Sequence, residues 1–232
     1  MAVVHYTLEG STAFIQMDDG KANALSDAMI NELGAALSRA HEEEASAVVL
    51  AGRPERFCAG FDLRVMMSSP EAARALLKSG AELLMRLYGY PRPLVAACTG
   101  HALAGGALVL LTADERIGTA GAFRIGLNEV SIGMPVPVLA VELARDRLAP
   151  TELGRATLQA RIYDPAGAVR AGYLDEVVDA SETITRAMQT AAALGALSRT
   201  AFEASKQRLR SRTIDHILGS LDEDMRRITL GQ

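Results

Sequence analysis

Two short apolar runs, Ala47 to Ala51 and Leu94 to Cys98, are each followed by a loop of small residues and then by a helix-forming segment. An apolar run that short, bounded by turn signals, reads as a buried strand, because a helix of the same length would not sustain itself. The first run breaks at Gly52-Arg53-Pro54-Glu55. The second gives way to Gly100 to Gly106 as a turn, Ala107 to Ala113 as a buried helix and Asp114 to Gly118 as extended chain. Strand, loop and helix recurring roughly every forty residues predict an α/β fold of stacked β/β/α turns, although no residue-level repeat accompanies the pattern.

The flanking segments suit that architecture. Val3 to Leu8 and Thr12 to Met17 are rich in β-favouring residues around Glu9-Gly10-Ser11, which predicts an antiparallel hairpin. After Asp18-Asp19-Gly20 a helix is expected, with Ser26 or Asp27 as N-cap and Met29, Leu33, Leu37 and His41 on one face. Pro70 to Tyr90 carries Leu76, Leu77, Leu83, Leu84 and Leu87 at helical spacing and is closed by Pro91 and Pro93. From Pro137 onward the pattern turns helical, over Val138 to Leu148, Pro150 to Gln159 and Ser181 to Arg210, with a short strand at Tyr173 to Val178. No Ser, Gly or Pro-rich linker separates an independent domain. The expected organisation is a core over residues 1–180 and a helical assembly region over 181–232, within a single structural unit.

Composition narrows the partners. A chain of 232 residues with 49% hydrophobic content can bury a full core. Its apolar stretches are far shorter than the roughly 20 residues a membrane helix needs, so no membrane partner is expected. Met1 to Glu9 lacks the features of a signal peptide, which makes the cytoplasm the expected location. A net charge of −4 argues against nucleic acid, and the basic stretch Lys206 to Arg212 reads as a solvated helix face balanced by Asp222, Glu223 and Asp224. Cys58 and Cys98 have no paired spacing and are expected to be reduced thiols. His5, His41 and His216 lie apart from any carboxylate or thiol at ligand spacing, so no metal is expected.

The chemistry lies in three segments. In Phe57-Cys58-Ala59-Gly60-Phe61-Asp62 small residues mark a passage from strand to helix where backbone amides can meet a ligand. In Gly100-His101-Ala102-Leu103-Ala104-Gly105-Gly106-Ala107-Leu108 the glycine pair opens a helix whose first N–H groups have no intrahelical partners. Either glycine turn alone can simply be a turn. Two amides aimed at one oxygen, however, would stabilise an oxyanion, and such a donor is typically worth about 2.7–4 kcal/mol in a transition state. The third segment places Glu129 among apolar residues and glycines, a setting that can raise a carboxyl pKa toward neutrality. His101 is either a supporting donor or a packed histidine, and Asp114 is read as fixing a strand or an ion pair.

Both glycine segments resemble the signature segments of the crotonase superfamily, the enoyl-CoA hydratases and isomerases, and the resemblance runs from about Lys21 to Gly133 and loosely to Glu176. It implies a crotonase-like β/β/α spiral with a helical C-terminal subdomain, assembled as a homotrimer or as a hexamer of trimers. It also implies an acyl-CoA substrate and no cofactor beyond that coenzyme A thioester. By family alignment the oxyanion amides fall on Phe61 and Gly105, with Ala104 in place of the first glycine of the usual triplet. Ala59, Asp62 and Leu63 correspond to coenzyme A contacts, Lys21, Ala22 and Ala24 to the opposite wall. Lys21 and Arg64 are candidates for phosphate partners or are solvated surface cations.

Ile125-Gly126-Leu127-Asn128-Glu129 resembles the corresponding stretch of Δ3,Δ2-enoyl-CoA isomerases, whose catalytic glutamate matches Glu129. Where the family's hydratases carry a second catalytic glutamate, this chain has Leu108. One carboxylate is enough to take a proton from C2 and return it at C4, whereas hydration divides acid and base work between two groups. The expected function is therefore Δ3-to-Δ2 enoyl-CoA isomerisation in fatty acid metabolism. The alternatives are 2-enoyl-CoA hydration and acyl-CoA binding without turnover.

Overall fold

A computed structural model describes residues 2–227; the end of the expected assembly region, residues 228–232, lies outside the described residues. The chain opens with the expected hairpin, β1 (Val4–Glu9) antiparallel to β2 (Thr12–Met17), followed by α1 (Asp27–Glu42). Ser26 rather than Asp27 caps α1, its hydroxyl accepting a hydrogen bond from the Met29 N–H. Three strand pairs follow, β3 (Ala47–Ala51) with β4 (Glu55–Cys58), β5 (Leu94–Cys98) with β6 (Gly100–Leu103), and β7 (Glu115–Thr119) with β8 (Ile125–Gly126). Between the first and second pairs lie α2 (Leu63–Met66) and α3 (Pro70–Tyr88), and between the second and third lies α4 (Gly105–Thr112).

The two members of each pair enter different sheets. The larger sheet runs β1-β2-β3-β5-β7-β9, where β9 is Glu176–Val178, and the smaller β4-β6-β8, parallel throughout except for the opening hairpin. Each turn of the chain thus adds one strand to each sheet, and the turns stack into the expected spiral. Gly100 to Gly106, expected to be a turn throughout, instead begins with β6. Gly100 permits that pairing, because a Cβ there would sit 2.0 Å from the Glu55 carbonyl carbon on β4.

The rest of the chain comprises α5 (Val138–Arg147), α6 (Leu153–Thr157), α7 (Pro165–Ala171), β9 (Glu176–Val178), α8 (Thr183–Gly195) and α9 (Arg199–Arg227). The expected helix from Ser181 to Arg210 is therefore two helices broken around Ala196–Ser198, and α7 is an element that the hydrophobic pattern did not disclose. Strands β3 and β5 are buried at every position because the larger sheet is covered on both faces. Val48 and Leu50 face the main core. Ala47, Val49 and Ala51 face the other way, with Val95 and Ile117, onto Ala187 and Ala191 of α8.

The basic stretch of α9 is only half a solvated face, with Arg208 and Arg212 exposed. Lys206 and Arg210 are almost fully buried. Lys206 Nζ donates to Asp114 Oδ2 at 2.6 Å and to the carbonyls of Tyr90 and Arg92, while Arg210 pairs with Asp114 Oδ1 at 2.9 Å and donates to the carbonyls of Tyr88 and Thr112. Asp114 also accepts from the Leu94 N–H. One carboxylate thus joins the start of β5, the turn into β7 and α9.

Candidate active site

The three segments singled out in the sequence leave the C-terminal ends of β4, β6 and β8, which are neighbours in the small parallel sheet. The carboxyl ends of parallel strands are where an open α/β sheet offers a crevice.

At the end of β4 the ladder register shifts between Arg56 and Cys58, and Gly60 takes φ +97°. The chain then forms an isolated parallel bridge with Leu25. The Leu25 N–H donates to the Gly60 carbonyl at 2.8 Å, and the Asp62 N–H donates to the Leu25 carbonyl at 3.2 Å. In such a bridge the partner bonds to the residues on either side, so the Phe61 N–H is directed away from Leu25. At the end of β6, Ala104 adopts φ 49°, ψ −122°, a conformation suited to glycine, and its N–H donates to the Gly126 carbonyl of β8. Gly105 follows as the first residue of α4. Among the described residues, neither the Phe61 nor the Gly105 N–H hydrogen-bonds within the chain.

Close approach brings these two amides to one place. A Cβ on Gly60 would lie 3.1 Å from Ala104 Cβ and 3.3 Å from the Gly105 nitrogen, so only glycine lets the two turns touch as they do. Gly106 is as constrained, since a Cβ there would be 1.9 Å from the Cys58 carbonyl oxygen. The Phe61 side chain does not enter the amide pair's chemistry; its ring packs against Gly105 and against Gly80 of α3.

Beyond β8, Leu127 is buried and Glu129 precedes a single 3-10 turn, Val130–Ile132, closed by Gly133 in the left-handed conformation. The Glu129 carbonyl accepts from the Ile132 and Met134 N–H groups, which ties its backbone into the turn. The carboxyl is buried, and its Oε2 has no hydrogen-bond partner. Burial raises its pKa, with the backbone amides of Glu129 and Asn128 opposing the rise. A carboxylate buried in this way binds a proton more readily than one in water. Leu108, three residues after Gly105 and so on the same side of α4, is also buried.

The expected coenzyme A contacts are divided. Ala59 is exposed, and Ala22 and Ala24 are half-buried beside it, with the Ala59 N–H donating to the Ala22 carbonyl. Lys21 is exposed at the rim of the same loop. The Asp62 side chain caps α2 and holds Arg64, with Arg64 Nη2 2.9 Å from Asp62 Oδ2, so this carboxylate is already engaged. Arg64 itself is exposed. Leu63 instead belongs to an apolar cleft of about 490 Å³, lined also by Met66, Met67, Ile132 and Met134, between α2 and the turn after Glu129.

Sequence reasoning missed two residues that hold this site in shape. Asn23, fully buried at φ 53°, donates from Nδ2 to the carbonyls of Met17, Arg56 and Phe57. Asp19 accepts from the N–H groups of Lys21, Asn23 and Ala24. The polar turn Asp18-Asp19-Gly20 was the available signal. His101 accepts from the Arg124 N–H through Nδ1 and packs edge-on to Phe123, the role of a packed histidine. Cys58 and Cys98 are free and buried, and burial pushes both thiols up to about 12.

Comparison with known proteins agrees with this geometry. The family model described as enoyl-CoA hydratase/isomerase matches residues 7–226. An enoyl-CoA hydratase/isomerase family protein of Pseudomonas syringae superposes with a TM-score of 0.95 at 40% identity, covering 98% of both chains. An enoyl-CoA isomerase of Mycobacterium tuberculosis does so at 0.93 and 37%, covering 97% of this chain and 99% of its own. Human mitochondrial enoyl-CoA delta isomerase 1 is 29% identical over 217 residues, 92% of this chain and 72% of the relative. Proteins named as hydratases stand among the relatives as well. With the strand ends, the glycine contacts and these similarities in agreement, the chain belongs to the enoyl-CoA hydratase/isomerase family and has the crotonase fold.

Proposed function

We propose that this enzyme moves a double bond from the 3 to the 2 position of an enoyl-CoA. The thioester oxygen would accept hydrogen bonds from the Phe61 and Gly105 N–H groups, which stabilise the negative charge that develops there. Glu129, ionised, takes a proton from C2; the electron pair delocalises as a dienolate onto that oxygen. The same carboxyl returns the proton at C4, so the 3-ene becomes the 2-ene with no atom gained or lost. A raised pKa suits a group that must both accept and donate. The acyl chain is assigned to the apolar cleft at Leu63, Met66, Met67, Ile132 and Met134, and the coenzyme A moiety to the face carrying Lys21, Ala22, Ala24 and Ala59, with Arg64 at its edge.

The observation that carries the reading is the pairing of one buried carboxylate, its Oε2 without a hydrogen-bond partner, with an aliphatic side chain at position 108. Leu108 can neither deprotonate water nor hold it. The reading needs no metal and no cofactor besides the coenzyme A thioester; a cytoplasmic location and assembly as a homotrimer or a hexamer of trimers are proposed beside it. Light scattering that finds only monomer would remove the assembly. The reaction is tested by incubating pure protein separately with 3-enoyl-CoA and 2-enoyl-CoA over short and long chains. Formation of 2-enoyl-CoA from the first without hydroxyacyl product is expected; efficient 3-hydroxyacyl-CoA formation from the second would replace isomerisation with hydration.

A further inference from the structure

Tyr173 is a second buried polar group at this site whose hydroxyl the fold itself does not use. It follows Gly172, which ends α7 in the left-handed conformation, and its N–H donates to the Ala168 carbonyl at 2.9 Å. Its neighbours anchor it. Leu174 packs over Gly118, where a Cβ would lie 2.4 Å from Leu174 Cδ1, and Asp175 is held by Arg116 at 2.6 Å. The Tyr173 ring rests against Tyr163 with centroids 5.7 Å apart, and Tyr163 exchanges two backbone hydrogen bonds with Ile125, the first residue of β8.

The ring therefore lies under the strand that leads to Glu129. Burial raises the pKa of its hydroxyl; the Leu127 backbone N–H opposes that rise and the Glu129 carboxylate adds to it. The hydroxyl is fully buried and has no hydrogen-bond partner of normal geometry. Phenylalanine would fill the same space, so packing does not account for the hydroxyl. Buried polar atoms without partners are uncommon, and Tyr173 Oη and Glu129 Oε2 both occur here.

We propose that the Tyr173 hydroxyl is a positioning group for Glu129, its O–H dipole turned toward the carboxylate, so that the phenol favours the ionised base. This rests on the reading of Glu129 as the proton shuttle. Tyr173 and, behind it, Tyr163 are the titratable groups that face the segment from below. Tyr163 turns its own hydroxyl away, to Glu152 Oε2 at 2.8 Å, and no charged side chain is among the causes of the Glu129 shift.

The test is Tyr173→Phe, with Tyr163→Phe as a control that keeps the ring stack and removes a hydroxyl unconnected with Glu129. The Glu129 carboxyl is titrated directly by difference infrared or carbon-13 NMR, assigned by its loss in Glu129→Gln, so the result does not depend on which reaction the enzyme performs. Tyr173→Phe is expected to raise the Glu129 midpoint by about half a unit or more, whereas Tyr163→Phe leaves it in place. In turnover, Tyr173→Phe should lower kcat several-fold with KM little changed and carry the acid limb of kcat to higher pH. An unmoved midpoint with unchanged kcat in a folded Tyr173→Phe protein overturns the proposal. A moved midpoint in a protein that forms no 2-enoyl-CoA upholds the positioning role and refutes the isomerase reading separately.

Discussion

At the scale of single residues, the buried Glu129 carboxyl costs the fold stability when it ionises. Its folded pKa lies above the ordinary value because burial disfavours the charge. In the unfolded chain it ionises near about 4.3. Between these two values the folded state binds the proton and the unfolded state does not, so stability falls as pH rises through that window. The full penalty is present above the folded pKa. Glu129→Gln is therefore expected to lower turnover by roughly 10²–10⁴-fold, the usual contribution of a positioned acid–base group, while raising the melting temperature at pH 7. Near pH 4 the stabilisation should vanish. Calorimetry at both pH values, beside product assays, checks the pair of outcomes; a variant no more stable than the parent at pH 7 would show that the carboxyl is not strained by burial. Ala104 is a second residue at odds with its own preference, held at positive φ because the Gly60 contact and the Gly126 carbonyl leave its N–H nowhere else to go.

Among the elements, α9 depends on a buried charge cluster rather than on an apolar stripe alone. Removing one partner from a buried pair typically costs about 3–5 kcal/mol. Asp114→Asn would leave the Lys206 and Arg210 cations facing each other without an anion, and a loss of that size is expected by denaturant unfolding, with early hydrogen exchange in α9. Lys206 adds a pH signature. Burial brings its ammonium down to about 8 from 10.5, so between those values the unfolded chain binds more protons and the contribution of this group to stability rises with pH. The sequence contained this cluster in a form that charge counting hides. Lys206 and Arg210 continue the one-face spacing of Ile214, Ile217 and Leu221, so the basic residues extend the buried stripe instead of opposing it. Other elements divided along similar lines. Strands β3 and β5 were legible because both faces are apolar. The short strands β4, β6 and β8 were not, since pairing rather than propensity makes them strands. Helix α7 carried readable signs in Asp164 as N-cap, Pro165 after it and Gly172 at its end, although its few apolar residues gave no period. The candidate site was legible through its small residues, while Asn23 was not, because its hydrogen bonds to the Arg56 and Phe57 carbonyls, distant in sequence, leave no local pattern.

For the whole molecule, the spiral divides its labour between two sheets. The larger one is covered by α8 on one face and the main core on the other, and its central strands β3 and β5 are buried throughout. The smaller one gives Phe57, Cys58, Ala102 and Ile125 to the main core and leads into the turns that carry Phe61, Gly105 and Glu129, each supplied by a different turn of the chain. That division has a kinetic corollary. No contiguous stretch of sequence contains the site, and loop closure must be complete for all three turns before the amides and the carboxylate can meet. During refolding from denaturant, secondary structure should therefore return ahead of catalysis, and recovered activity should track the slowest phase; activity that reappeared with the first burst of helix signal would contradict it. Enzymatic turnover in this protein then serves as a clock that starts only once the last coil of the spiral has closed.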